Sequence, residues 1–153
     1  MGRAVTGTAE GTALRIRPFE HRHQEPVVAL WTSCGLTRPW NDARRDIARK
    51  IATQPELFLV GVIDDQLVAT AMVGYEGHRG WVYYLAVSND HRREGFGRAM
   101  MNEAERLLIE RGCPKINLQL RSSNANAIGF YNALGYVQDD VVSLGKRLIE
   151  DRG

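Results

Sequence analysis

The chain has 153 residues, 44% hydrophobic and 25% charged, the size and balance of one globular domain with one sizeable core. A net charge of +2 speaks against a strongly basic nucleic-acid binder, and no apolar run approaches the ~18 residues of a membrane-spanning helix. Cys34 and Cys113, the two cysteines, lie outside any paired spacing, so neither a disulfide framework nor a metal site is expected, and both read as reduced thiols of a cytoplasmic protein.

Residues 1–12 lack an apolar core of signal-peptide length and read as a flexible leader, which leaves 13–150 as a single domain. In 13–19, Leu14 and Ile16 alternate with arginines, the period of a first strand. Val27, Val28, Leu30, Trp31 and Cys34 then fall at helical spacing, with Gly35 able to stop the helix. After a turn at Pro39, Asn41 or Asp42 can cap a second helix whose thin apolar stripe is Ile47 and Ile51. The β-rich run 57–63 turns at Asp64-Asp65-Gln66 into 67–75, a hairpin. Residues 81–87, dense in aromatic and branched side chains, form a third central strand. Met100, Met101, Ala104, Leu107 and Leu108 mark one face of a helix that ends at Gly112 and Pro114. Residues 115–121 alternate as a strand, 124–135 form a helix capped by Asn124, and 136–148 read as one or two final strands. The order β-α-α-β-β-β-α-β-α-β predicts an α/β (α+β) domain, a mixed central sheet with helices on both faces.

The segment HRREGFGRAMM at 91–101 joins a strand to a helix. Its glycines permit a close approach of ligand to main chain, free amides at a helix start bind anions, and Arg93 and Arg98 add charge at the rim. A phosphate is the ligand such a loop suits. A dinucleotide fingerprint would need a small residue where Met100 stands, and a P-loop would need Gly-Lys-Ser/Thr, which is absent. A plain connection with solvated arginines is the remaining alternative.

In RSSNANAIGFYNALGY (121–136), Asn124 opens a helix and Tyr131 follows seven residues on, two turns away and nearly on the same face. The two segments together resemble the GNAT family of acyl-CoA N-acyltransferases. Its Arg/Gln-x-x-Gly-x-Gly/Ala signature matches Arg92-Arg93-Glu94-Gly95-Phe96-Gly97, and its Asn…Ala…Tyr helix matches Asn124, Ala127 and Tyr131. The resemblance spans about residues 13–148. RPWND, GHRG, RGCPKI and SLGKRLIED look further like the bacterial YpeA-type subgroup.

The resemblance implies the GNAT fold with a splay between the two central strands. It implies acetyl-CoA (coenzyme A) as co-substrate and no metal. The pyrophosphate would lie on the main chain of Arg93, Glu94, Gly95, Phe96, Gly97 and Arg98 beside Arg92. The pantetheine would pair like an extra strand along Leu85, Ala86 and Val87, whose edge amide at Val87 could polarise the thioester, and Asn124 and Tyr131 would touch the cofactor. Tyr131 would be the general acid that protonates the departing sulfur; helical spacing alone favours a core aromatic beside Phe130 and Leu134. Relatives that acetylate protein N-termini carry glutamate where this chain has Gln119, which cannot take a proton. Glu76, with His78, Tyr83 or Tyr84, is then the candidate base relay. Arg38 and Trp40 lie in the loop that would border the acceptor side, where Trp40 reads first as an anchor of that loop to the core. The implied activity is N-acetylation of a primary amine, on a small molecule or peptide, by direct attack on the thioester. An acyl-CoA-binding sensor or regulatory module with weak or no catalysis is the alternative. No nucleic-acid or membrane partner is expected, and a homodimer is left open.

Overall fold

The two-residue turn Asp64-Asp65 organises the centre of the sheet. Both aspartates have positive φ, 46° and 65°, the left-handed angles of a type I′ turn whose twist suits a hairpin. The turn joins β3 (Phe58–Ile63) to β4 (Gln66–Tyr75), antiparallel from Ile63↔Gln66 to Phe58↔Met72. The computed structural model describes residues 3–6 and 13–151. Within them, β1 (Arg3–Thr6), β2 (Ala13–Pro18), β3, β4, β5 (Gly80–Val87) and β6 (Ile116–Asn117) lie side by side in that order. All neighbours are antiparallel except β5 and β6, which are parallel.

Four helices cover the two faces: α1 (Gln24–Ser33) and α2 (Ala43–Thr53) on one, α3 (Phe96–Glu110) and α4 (Ala125–Ala133) on the other. Strand alternation divides the core accordingly. Phe58, Val60 and Val62 of β3 pack with Val27, Trp31 and Ile47. Leu59 and Ile63 join Leu57, Leu14, Ile16, Met100, Met101 and Leu108 on the other side. Every residue of β3 is buried, and each large apolar side chain placed so contributes about 1.5–3 kcal/mol. The helix starts follow from side-chain caps: Asp42 accepts the Arg45 amide at 3.1 Å and Asn124 the Ala127 amide at 3.2 Å, each satisfying an orphan donor of the first turn.

Three expectations need correction. Arg3–Thr6, assigned to a flexible leader, form β1 and pair with β2 from Arg3↔Ile16 to Thr6↔Ala13, because the outer edge of β2 offers unpaired backbone groups to a returning chain. Residues 1–2 and 7–12 lie outside the described residues. The strand expected over 115–121 is confined to Ile116–Asn117. The final strands expected in 136–148 do not form; Val137, Val141, Val142 and Leu144 are exposed, so their apolar pattern has no packed face to stabilise pairing.

Candidate active site

The shortened β6 creates the site. β5 and β6 pair only at Gly80↔Ile116 and Trp81↔Asn117. Beyond that point the chain at 118–121 departs, and among the described residues the outer edge of β5 from Val82 to Val87 has no strand partner. A cleft of about 700 Å³ fills the parting. Val82, Tyr83, Tyr84 and Leu85 line one wall, and Leu118, Gln119, Leu120 and Arg121 the other. α2 closes one end with Asp46, Arg49 and Lys50, and α4 the other with Asn124, Ala127 and Tyr131.

β5 is bent at the same place. Thr70 pairs with Ala86 but Met72 with Tyr83, so β5 carries one residue more than β4 across this step, a β-bulge. Tyr84 takes the strain, at φ +54°, an angle costing a residue with a Cβ about 1–2 kcal/mol. Its surroundings hold it there. The Tyr84 ring stacks on Trp31 with centroids 3.8 Å apart, and its hydroxyl donates to Asp46 Oδ2 at 2.7 Å. Thr70 Oγ1 donates to the Tyr84 carbonyl at 2.8 Å and accepts from Trp31 Nε1 at 2.9 Å. Asp46 in turn accepts from Arg49 at 3.1 Å, and Arg49 makes a two-point pair with buried Asp151 at 2.8 and 2.6 Å. The bulge breaks the alternation: Val82 and Leu85, three apart, both pack on the α3 side. Tyr83 and Tyr84 therefore both line the cleft, where alternation predicts only one of them.

At the end of β5, Ser88 caps a 3-10 turn at Asn89–His91, and the chain then passes through Arg92 to Gly95, the N-cap of α3. Arg93 has φ +65° and Gly95 φ +81°. These left-handed residues turn successive main-chain groups into a concave nest, a form suited to anions, and the first amides of α3 have no partner within the helix. Gly97 sits in close quarters: a Cβ there would lie 3.1 Å from Phe130 Cζ, which would have to give way by a few tenths of an ångström, and 3.8 Å from Val87 Cγ2. The loop is thus packed against both α4 and the end of β5. Arg92 and Arg93 are exposed, and His91 Nδ1 and Glu94 Oε2 are 2.7 Å apart. A charged pyrophosphate fits this cradle, and an extended chain fits the parted edge leading away from it.

Tyr131 is buried in the α3-side core yet reaches the cleft wall. Phe130 and Tyr136 meet its ring edge-on at 4.9 and 5.7 Å. Burial pushes its hydroxyl up to about 12, so at neutral pH it is a proton donor and not a base. Glu76, the candidate base relay, is placed apart from the cleft. Its carboxylate accepts from the amides of His78, at 2.7 Å, and Arg79, and from Trp81 Nε1 at 3.3 Å. The Arg79 and His78 amides hold its pKa below the ordinary glutamate value, and it lies outside the cleft lining. It closes the β4–β5 turn. Gln119 lines the cleft and donates to Ser143 Oγ at 2.5 Å.

A family profile, Acetyltransferase (GNAT) family, matches residues 19–136. The chain belongs to the GNAT family. An acetyltransferase of Yersinia pestis is 47% identical over 139 residues, covering 91% of this chain and 99% of that protein. An acetyltransferase of Sodalis glossinidius is 49% identical over 140 residues with the same coverage. Among solved structures, Ard1 from Thermoplasma volcanium matches with TM-score 0.69 and 24% identity over 81% of this chain and 82% of that one. An aminoglycoside N-acetyltransferase in complex with CoA matches with TM-score 0.70 and 16% identity over 91% and 97%. The enzyme is an acyltransferase with the GNAT fold, and the parted strands are the splay of that fold.

Within this GNAT domain the structure brings together most of the expected site residues. Leu85, Asn124 and Tyr131 line the cleft, Val87 touches the base of the loop, and 92–98 form the loop itself. Ala86 faces the other way, buried against α1 and α2, so only its main chain can meet a ligand. Asp46 and Lys50 escaped sequence reasoning. Both sit on α2, whose thin apolar stripe marks it as a surface helix, and only the tertiary fold brings its polar face to the splay. Arg38 lines the cleft as expected, while Trp40 is exposed and outside its lining.

Proposed function

We propose that this enzyme transfers an acetyl group from acetyl-CoA to a primary amine by direct attack on the thioester. The observation that carries the reading is that the unpaired edge of β5 ends at Val87 beside Gly97 of the nest at 93–98, while Tyr131 stands on the wall of the cleft along that edge. The pyrophosphate lies on the nest, with Arg92, Arg93 and Arg98 adding charge at the rim. The pantetheine runs along Leu85 to Val87 as a surrogate strand, and Asn124 flanks it from α4.

In this reading an edge amide of β5, at Val87, donates to the carbonyl oxygen as negative charge develops there, a contribution worth about 3–4 kcal/mol in comparable acyl transfers. Tyr131 gives its proton to the departing sulfur. Its burial suits the role, since a phenol held protonated across the physiological range is ready at every turnover. The attacking amine must be neutral, and its ordinary pKa near 10.4 has to be lowered by the cleft. Acetyl-CoA turnover, followed as thiol release with a panel of amines, together with a thermal melt in coenzyme A, tests the reading. A melt that moves without turnover on any amine would favour a CoA-binding sensor.

A further inference from the structure

Charge in the cleft is unevenly compensated. At the α2 end, Asp46 is taken by Tyr84 and Arg49, while Asp151 is taken by Arg49 and lies 3.7 Å from Arg45. Those two acids and two arginines close on themselves. Three further cations line the same cleft: Arg38, Lys50 and Arg121. Among the described residues none of the three has a carboxylate within salt-bridge distance. Glu56 acts on Lys50 from outside the cleft but is itself bridged to Arg111 at 3.0 Å. Arg38 spends one nitrogen on the carbonyls of Gly35 and Thr37, at 2.7 and 2.9 Å, which fixes the arm and leaves the rest of the guanidinium free to donate. Lys50 is half-buried, and that burial lowers its pKa. A desolvated ammonium without a partner is costly unless a ligand supplies the counter-charge.

On the acetyltransferase reading above, we propose that the acceptor is a primary amine carrying an anionic group, with its carboxylate received by Lys50 at the α2 end of the cleft. The same cations address the missing base. An ammonium entering beside Arg38 and Arg121, which a single carboxylate on Lys50 leaves uncompensated, and out of bulk water, has its pKa lowered on both counts. The attacking neutral amine is then selected by the field of the cleft, with no carboxylate needed to deprotonate it. Polycationic acceptors are disfavoured by the same field.

The test is thiol release from acetyl-CoA with matched acceptors. δ-Aminovalerate is compared with δ-aminovaleramide, whose amine is almost equally basic, and the C-terminally amidated dipeptide Ala-Glu-NH2 with Ala-Gln-NH2, which has no carboxylate; spermidine is the polycationic arm. The first pair represents a free aminocarboxylate, the second an acidic peptide. In at least one pair the acid is expected to exceed its amide about tenfold or more in kcat/KM. The gap should reside in KM and shrink at about 1 M salt, where charges are screened beyond ~3 Å. Lys50→Met, which keeps the apolar stem, should close the gap; Lys146→Met, outside the cleft, should preserve it. Equal use of both members of each pair, or preference for spermidine, overturns the proposal and leaves the transferase intact. No thiol release from any arm, with a melt unmoved by coenzyme A, overturns both.

Discussion

The hydroxyl of Tyr84 donates to Asp46 at 2.7 Å, and Tyr84 is the residue of β5 held at a positive φ. A bond between a strand and a helix therefore maintains the local distortion that parts β5 from β6. Tyr84→Phe removes a hydrogen bond to a charged acceptor, worth about 1.5–3 kcal/mol, and frees the bulge to relax. Stability should drop by that amount in a denaturant titration. Turnover should also fall, by up to about 10²-fold, the cost of small misplacement at a reacting centre. Asp46→Asn retains an acceptor and should be milder on both counts. Full turnover in a destabilised Tyr84→Phe protein would show that the bulge is only architectural.

Coenzyme A should stabilise the fold. At a hundredfold excess over its dissociation constant the gain is about 2.7 kcal/mol, or roughly 5–10 °C in Tm for a domain this size. A melt indifferent to saturating coenzyme A would remove the cofactor from the loop.

Two glycines in that loop should respond differently. Gly95→Ala strains a left-handed N-cap, at a cost of about 1 kcal/mol, and should weaken coenzyme A binding by tilting the nest. Gly97→Ala places a methyl 3.1 Å from the Phe130 ring and must displace it. Because Phe130 packs on Tyr131, this variant should lower turnover more than it lowers coenzyme A affinity. Calorimetric titration alongside initial rates separates the two; identical ratios of loss in both variants would count against this division.

Tyr131→Phe keeps the ring contacts with Phe130 and Tyr136 and deletes the proton. Loss of a general acid typically costs 10²–10⁴-fold in rate, so kcat should fall in that range with coenzyme A affinity little changed. The pH profile offers a second check. A hydroxyl pushed up to about 12 by burial stays protonated well past neutrality, so the wild-type rate should rise as the amine deprotonates and hold its plateau to about pH 10. A decline near pH 8 would point to another donor.

Acid should release the end of the chain from α2. The Arg49 guanidinium holds the Asp151 carboxyl down at about 2, below its ordinary 3.8. The pair's stabilisation is therefore complete above the unfolded-state value and is lost as pH falls from there toward the folded one. Asp151→Asn should flatten that part of the stability curve, read by thermal melts between about pH 5 and pH 2. An unchanged slope would show that the pair adds nothing to stability.

The amino-acid sequence by itself determined the parts governed by short-range rules. Alternation in 57–63 and 67–75, the Asp64-Asp65 turn, the caps at Asp42 and Asn124 and the glycine loop at 92–97 depend on neighbours within a few residues, and the structure carries them where they were expected. Tertiary structure decided the rest. Residues 115–121 alternate along their length, yet pairing stops at Asn117, because whether a strand stays paired depends on the partner's shape, and β5 is bent by Tyr84. The bulge has no local signature: a tyrosine at φ +54° is stable only because Trp31, Thr70 and Asp46, distant in sequence, converge on it. The same distance hid the cleft's charge. Asp46, Arg49 and Lys50 lie off the thin apolar stripe of their helix, and it is the packing of α2 beside the splay, with Asp151 returning to neutralise Arg49, that leaves Lys50 facing the cleft without a counter-charge.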